Sequence, residues 1–362
     1  HSSISGLQAA GFANISGGDI SGLQASGFAN IAGGSSSGLQ AAGFANIAAG
    51  SISGLQAAGF ANIAGGSVSG LQAAGFANIA REKSEGLHLS GFANIAGSGM
   101  EGFYISGFAN ITDGSFEGFA VSGFANISSQ TMEGIMIAGA LNAVPRSAEG
   151  IMISGFMNYS DTFEGIQIAG FANLARKAEG VQIGVLNYAR EFDGVPVGLI
   201  SYYGNGRKNI DVWATDGGFT HLGLKLGTRH VYNMISAGYN PLITDRDVWA
   251  LGWTFGVYET LDVAWENPRL HNYFHHSDFS IYHINDGEWT DELNTRFTYR
   301  YMIGRELNRG FSIYGGPTFN LQFSKVEGNS DYTWYSIIDA TRKGRDIRAW
   351  IGFSLGFQVF AH

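Results

Sequence analysis

Two sets of side chains in this 362-residue chain have the types and spacing to do chemistry. An acidic residue recurs at Glu85, Glu101, Glu117, Glu133, Glu149, Glu164, Glu179 and Asp193, at intervals of 16, then 15, then 14 residues. In stacked strands about 4.8 Å apart, neighbouring carboxylates repel by roughly 1 kcal/mol in water. A line of calcium ions, held by these carboxylates and by turn carbonyl oxygens, would relieve that repulsion. Solvent together with Arg81, Lys83, Arg146, Arg176, Lys177 and Arg190 is the plainer source of relief. The second set is His271, His275, His276 and His283, with Asp278 among them. A pair spaced i, i+4 shares a metal on a helix, whereas these surroundings read as loop or strand, so no metal is assigned to them. No Walker loop, HExxH or paired-carboxylate setting stands out, and the many Gly-x-Gly matches read as turn glycines. The expectation is a protein without catalytic residues or cofactor.

The elements that place these residues repeat. Glycine opens each unit at Gly6, Gly22, Gly38, Gly54, Gly70, Gly86, Gly102, Gly118, Gly134, Gly150, Gly165, Gly180 and Gly194. An asparagine follows in step at Asn14, Asn30, Asn46, Asn62, Asn78, Asn94, Asn110, Asn126, Asn142, Asn158, Asn173 and Asn187. Units this short cannot hold a helix pair, and their alternating, β-branched and aromatic composition favours strands. The reading is all-β: a β-solenoid of about thirteen 14–16-residue coils over residues 1–207, then an antiparallel, barrel-like domain of about eight strands over 208–362. The asparagines are expected to form a structural ladder of side-chain amides up the stack.

Loss of one residue between Ile168-Ala-Gly-Phe171 and Ile183-Gly-Val185 marks a bend, with Gly11, Gly27 and their equivalents supplying unusual backbone angles. The second turn is the variable segment, such as GGDI, REKS or PRSA. Alternation puts Leu7, Ala9, Ile135 and Ile137 on one face of the first strand, assigned to the core, and Gln8, Gln24, His88, Met136 and Gln167 on the other. The second strand is apolar on both faces, as in Phe12, Ala13 and Ile15. Its outer face is expected to meet a neighbouring molecule, another segment of the chain, or lipid.

Residues 1–80 hold one carboxylate, Asp19, and no lysine or arginine. Such neutral coils stack without repulsion, and an unpaired edge at the first coil would join another subunit. The net charge of −9 disfavours nucleic acid as a partner, and the absence of cysteine removes disulfides and thiolate metal sites. His1 suits the first residue left after cleavage of an export signal.

Beyond Tyr203 the period is lost. Strands are expected at 219–226, 231–239, 248–257, 260–266, 279–284, 293–301, 311–323 and 347–360. Trp249, Leu251, Trp253, Phe255 and Val257 share one face of the third, and Phe311, Ile313, Phe319, Leu321 and Phe323 one face of the seventh. The last strand, ending at Phe360 before Ala361-His362, looks like the closing strand of bacterial outer-membrane barrels. Because Lys, Arg and Asp interrupt several strands, a soluble closed sheet fits nearly as well.

The stretches Glu179-Gly-Val-Gln-Ile-Gly-Val-Leu-Asn-Tyr188, Gly194-Val-Pro-Val-Gly-Leu-Ile-Ser-Tyr-Tyr203, Gly227-Thr-Arg-His-Val-Tyr-Asn233 and Tyr314-Gly-Gly-Pro-Thr-Phe-Asn320 resemble a bacterial, Bacteroidota-type family of surface-repeat proteins. Its units read roughly GVQIGLLNYA ahead of a β-rich C-terminal region. The resemblance covers the later units and much of the remainder, and implies an exported protein of the cell surface, outer membrane or extracellular space. The leading expectation is a non-enzymatic structural protein that self-assembles as a filament or surface layer, with membrane association through its C-terminal domain. The alternatives are an adhesin that grips glycan or protein with its Gln and Asn rows or its aromatic C-terminal loops, and an outer-membrane pore.

Overall fold

The computed structural model describes residues 3–264, 267–308, 310–326 and 332–360. It falls into two compact units, residues 1–184 and 185–362. The first unit is a parallel β-solenoid. Each coil contributes a seven- or eight-residue strand and a four-residue strand, as in Val68–Ala74 and Ala77–Ala80. Each strand pairs in register with its equivalent one coil away: Gly70 lies beside Gly86, and Asn78 beside Asn94. In later coils the short strand runs into the next long one, as in Leu141–Ser154.

All thirteen unit glycines have positive φ, from 101° to 143°. That region costs an L-residue with a Cβ, and each such Cβ from the second coil to the twelfth would also strike the carbonyl oxygen of the preceding coil, at 2.2 Å for Gly118. The Gly11 series does not occupy this region. Its glycines mark the bend for a different reason, because a Cβ on Gly123 would lie 2.0 Å from Gly107 O. The variable segment forms a second bend in the first eight coils, whereas Pro145-Arg-Ser-Ala148 lies inside the continuous strand Leu141–Ser154.

The facing of the long strand reverses the expectation. Gln24, Gln40, Gln56 and Gln72 are 1% exposed, and His88, Met136 and Gln167 are also buried. Leu7, Leu23, Leu39 and Leu55 are exposed. A narrow coil is filled by small and amide side chains whose polar groups bond to the next coil, so the amide row displaces leucine from the interior. Ala29, Ala32 and their equivalents complete that interior.

The second unit opens with three short strands of the coil type, Leu186–Ala189, Glu191–Val197 and Ile200–Tyr203. Nine antiparallel strands follow: β1 (Arg207–Thr215), β2 (Thr220–Gly227), β3 (Val231–Tyr239), β4 (Val248–Thr260), β5 (Tyr273–Asp286), β6 (Asn294–Asn308), β7 (Phe311–Ser324), β8 (Ile338–Arg342) and β9 (Arg345–Phe360). Neighbours pair in chain order as far as β7, which pairs with β9. The opposite edge of β9 pairs with β8 and, over residues 354–360, with β1, so the sheet returns on itself.

Seven of the eight expected strands are present. The eighth, 260–266, is a helical turn over Leu261–Ala264, with residues 265 and 266 outside the described set. β1 was missing from the sequence reading because its alternation is inverted. Asn209, Asp211 and Trp213 point inward and are at most 1% exposed, while Ile210 points outward at 44%.

Candidate functional site

Three features of the coils bear on function. The first is a pair of internal amide ladders. Asn30 Nδ2 donates to Asn46 Oδ1 at 2.9 Å and to Ala41 O at 2.8 Å, and the row continues through Asn62, Asn78, Asn94, Asn110, Asn126, Asn142 and Asn158 to Asn173. Asn14 begins this row, and Asn187 bonds to Val197 O and Ser201 Oγ. The glutamines form a second ladder of opposite polarity: Gln40 Nε2 donates to Gln24 Oε1 at 2.8 Å, and Gln72 Nε2 to Gln56 Oε1 at 2.8 Å. Both rows are inside and spent on each other, so neither offers a gripping surface to an external ligand.

His88 interrupts the glutamine row. Gln72 Oε1 lies 3.2 Å from His88 Nδ1, and His88 Nε2 lies 3.0 Å from the Ser84 hydroxyl and 3.2 Å from Glu85 O, so both ring nitrogens are engaged. Burial pushes the imidazole down to about 4. Tyr104 stacks on it at 4.8 Å and donates to Ser84 O; burial pushes this phenol up to about 12.

The second feature is the carboxylate row. Glu85, Glu101, Glu117, Glu133, Glu149, Glu164 and Glu179 stand directly beside one another in register. Lys83 sits between the first two, with Nζ 2.6 Å from Glu85 Oε1 and 2.7 Å from Glu101 Oε2, and their hydrogen bonds hold its ammonium well above the usual range. Arg176 pairs instead with Asp161 at 2.9 Å. Among the described residues no group of three or more His, Asp or Glu side chains converges, and Lys83 is the cation that bridges two members of the row.

The third feature is an apolar flank. From Phe12 to Phe124 the phenylalanine rings stack face to face at 4.8–5.0 Å and within 2° of parallel. Phe28, Phe44, Phe60, Phe76, Phe92 and Phe108 remain 41–43% exposed. Beside them runs a shallow groove of about 880 Å³, lined by alanines and bend glycines such as Ala25, Ala41, Ala57 and Gly43.

The second unit inverts the usual distribution of polarity. Outward side chains of the sheet are large and apolar: Leu222 56%, Phe319 51%, Phe353 53% and Leu355 62% exposed. Inward ones are largely polar or aromatic, with Met234, Met302, Val248 and Ile284 among them. Arg300 grips Asp278 through Nε at 2.7 Å and Nη2 at 2.9 Å, and Tyr232 donates to Asp278 Oδ2 at 2.7 Å. Lys225 Nζ lies 2.6 Å from Asp211 Oδ2, which also accepts from Tyr314 at 3.2 Å. Inward glycines make room for rings: a Cβ on Gly252 would lie 2.4 Å from Tyr282, and one on Gly304 2.2 Å from Phe274.

Alternation explains the histidines too. His275 faces outward toward Glu259, with Nε2 3.6 Å from Oε2, whereas His276 is fully buried on the inner face. His271 is exposed beside Pro268 O, and His283 Nε2 meets Thr290 O at 2.9 Å. Asp278 belongs to Arg300 and Tyr232, not to a histidine cluster.

The coil residues of this unit lie on the outer face of β3 and β4. Trp253 Nε1 donates to Gly198 O at 2.8 Å, and Asn233 Nδ2 donates to Pro196 O at 3.0 Å.

Fold and sites together define an all-β protein that joins a β-solenoid with buried amide ladders to a barrel-like antiparallel sheet, apolar outside and polar within. No known family, curated protein or solved structure matches the chain.

Proposed function

We propose that the chain is a non-enzymatic structural protein of a bacterial cell surface. Its barrel-like sheet seats in a lipid bilayer, and its coils form a stiff module that associates with further copies through the apolar flank. The observation that carries this reading is the inverted sheet. Exposed apolar side chains occur on nearly every strand, from Ile210 on β1 to Leu355 on β9, while among the described residues five charged side chains are buried within. Water favours the opposite distribution; a hydrocarbon surround favours this one. Of the charges on the strands, Asp211, Lys225, Asp278, Arg296 and Arg300 are buried, whereas Arg305, Asp339, Arg342 and Arg345 are exposed; the buried set supports a lipid surround.

The apolar flank supports self-association. A row of half-exposed phenylalanines repeating every 4.8–5.0 Å matches the period of a second copy of itself, so contacts accumulate coil by coil. The likeness to surface-repeat proteins agrees with both parts. Against a pore stand the side chains that fill the interior of the sheet. For the adhesin reading there remain the exposed aromatic residues Trp289 and Trp334 in the loops, at 58% and 81%.

The test is to purify the full chain with and without detergent and to image both. Detergent-dependent solubility, with ordered arrays or fibres on reconstitution into lipid, is the expected result. A monodisperse, detergent-independent particle would remove the membrane reading, and lipid-embedded but unassociated monomers would remove self-association.

A further inference from the structure

Inside the barrel-like sheet the buried charges do not balance. Among the described residues, those buried there are Asp211 and Asp278 against Lys225, Arg296 and Arg300, three cations to two carboxylates. Lys225 is paired with Asp211 and Arg300 with Asp278. Arg296, 3% exposed, is the cation left over. Its guanidinium packs between the rings of Phe219 and Tyr282, at 4.8 Å and 5.0 Å, and its Nε has no hydrogen-bond partner. Asp216, half-buried in the wall beside it, makes no ion pair with it; its Oδ1 accepts from Phe353 N at 3.3 Å.

A buried, unpaired guanidinium is costly, and a counter-charge offsets that cost. Beside Arg296 lies a cavity of about 10 Å³, room for one water-sized occupant. The donors around it are in excess. Besides Arg296, the wall carries Arg300, whose Nη1 is unpartnered, and the indoles of Trp213 and Trp350, whose Nε1–H groups have no acceptor; facing them in the same wall are the Asp216 carboxylate and the unpartnered His221 ring and Ser354 hydroxyl.

We propose that this cavity holds a small monovalent inorganic anion of the halide class, as the counter-ion of Arg296. Lys and Arg side chains accept no hydrogen bond and indole only donates, so a neutral water would leave donors and charge unmet where a halide meets both. The proposal rests on the buried charges alone and holds whether or not lipid surrounds the sheet.

The experiment uses the full chain in detergent. Its melting temperature is measured against sodium chloride and sodium bromide, with sodium gluconate holding ionic strength constant, and crystals grown in bromide are examined for anomalous scattering. A halide-dependent rise in melting temperature and a bromide peak beside Arg296 are expected. Arg296→Gln should weaken the apparent halide affinity by about tenfold or more, since it removes a charged hydrogen-bond donor. Asp216→Asn should strengthen it, because it removes the nearest competing negative charge. If Arg296→Gln does not fold, the bromide map of the unaltered protein decides. Halide-independent melting, or an Asp216→Asn variant as unstable as Arg296→Gln, would overturn the proposal and make Asp216 the counter-charge, acting through water.

Discussion

Asn78 donates through Nδ2 to Asn94 Oδ1 at 2.9 Å, and with the same amide reaches Leu89 O at 2.8 Å, so one side chain ties three points of two successive coils. Replacing it by leucine of similar size would leave Leu89 O and Asn94 Oδ1 without their donor and Asn62 Nδ2 without its side-chain acceptor. Each such buried loss costs about 1–3 kcal/mol. Asn78→Leu should therefore lower the unfolding free energy by at least about 2 kcal/mol, measured in urea. Because each coil touches only its neighbours, limited proteolysis should nick the variant near coils five and six. Cleavage confined to the loops of the sheet would show that the ladder is dispensable.

His88 gives the coils a pH dependence. The imidazole is buried in its neutral form and pushed down to about 4, below the ordinary value of 6.5. Between those two pH values the unfolded chain binds a proton that the folded chain refuses, so stability is complete above pH 6.5 and declines as pH falls toward 4. His88→Gln restores the ladder residue of the preceding coils and removes the titration. Melting curves from pH 7 to pH 4 should fall less steeply for this variant. The difference approaches about 3 kcal/mol at the acid end, as an upper limit for 2.5 pH units. Parallel curves would refute the assignment.

The unit glycines are held by two constraints at once. Gly118 has a φ of 120°, and a Cβ there would lie 2.2 Å from Gly102 O. Gly344 has a φ of 68° with nothing within 4 Å. Gly344→Ala should cost only the backbone term, about 1–2 kcal/mol. Gly118→Ala should cost clearly more, since the coil must also part from its neighbour. Equal losses of melting temperature would mean that the coils yield without strain.

The period, the register and the amide ladder were legible because stacking demands the same residue type at the same place in each coil, and Gly6 to Gly194 and Asn14 to Asn187 report it directly. The direction of facing was not. Leucine against glutamine in Leu23-Gln24 reads as core against surface, and only the hydrogen bond from Gln40 to Gln24, one coil away, makes the polar face the inner one. The same inversion hid β1, where Asp211 and Trp213 look inward to Lys225 and Arg300. In both units alternation was visible in the sequence, but its polarity depends on what surrounds the element, which no single strand encodes. The histidines failed for a related reason: adjacency of His275 and His276 along a strand means opposite faces, not a shared site.

The surround of the sheet can be tested one side chain at a time. Phe353 and Leu355 lie on the outer face of β9, 53% and 62% exposed. If water bathed them, arginine there would change stability by no more than about 0.5 kcal/mol, as at ordinary surface positions. In hydrocarbon the same change costs about 2–4 kcal/mol near the bilayer midplane. Phe353→Arg and Leu355→Arg should therefore reduce the membrane-integrated fraction of the full chain, whereas Thr220→Arg, exposed at the end of β2, should not. Folding into lipid vesicles, followed by resistance to protease, reads both arms. Equal insertion of all three variants would place the outer face of the sheet in water and leave its apolar side chains to be covered by protein.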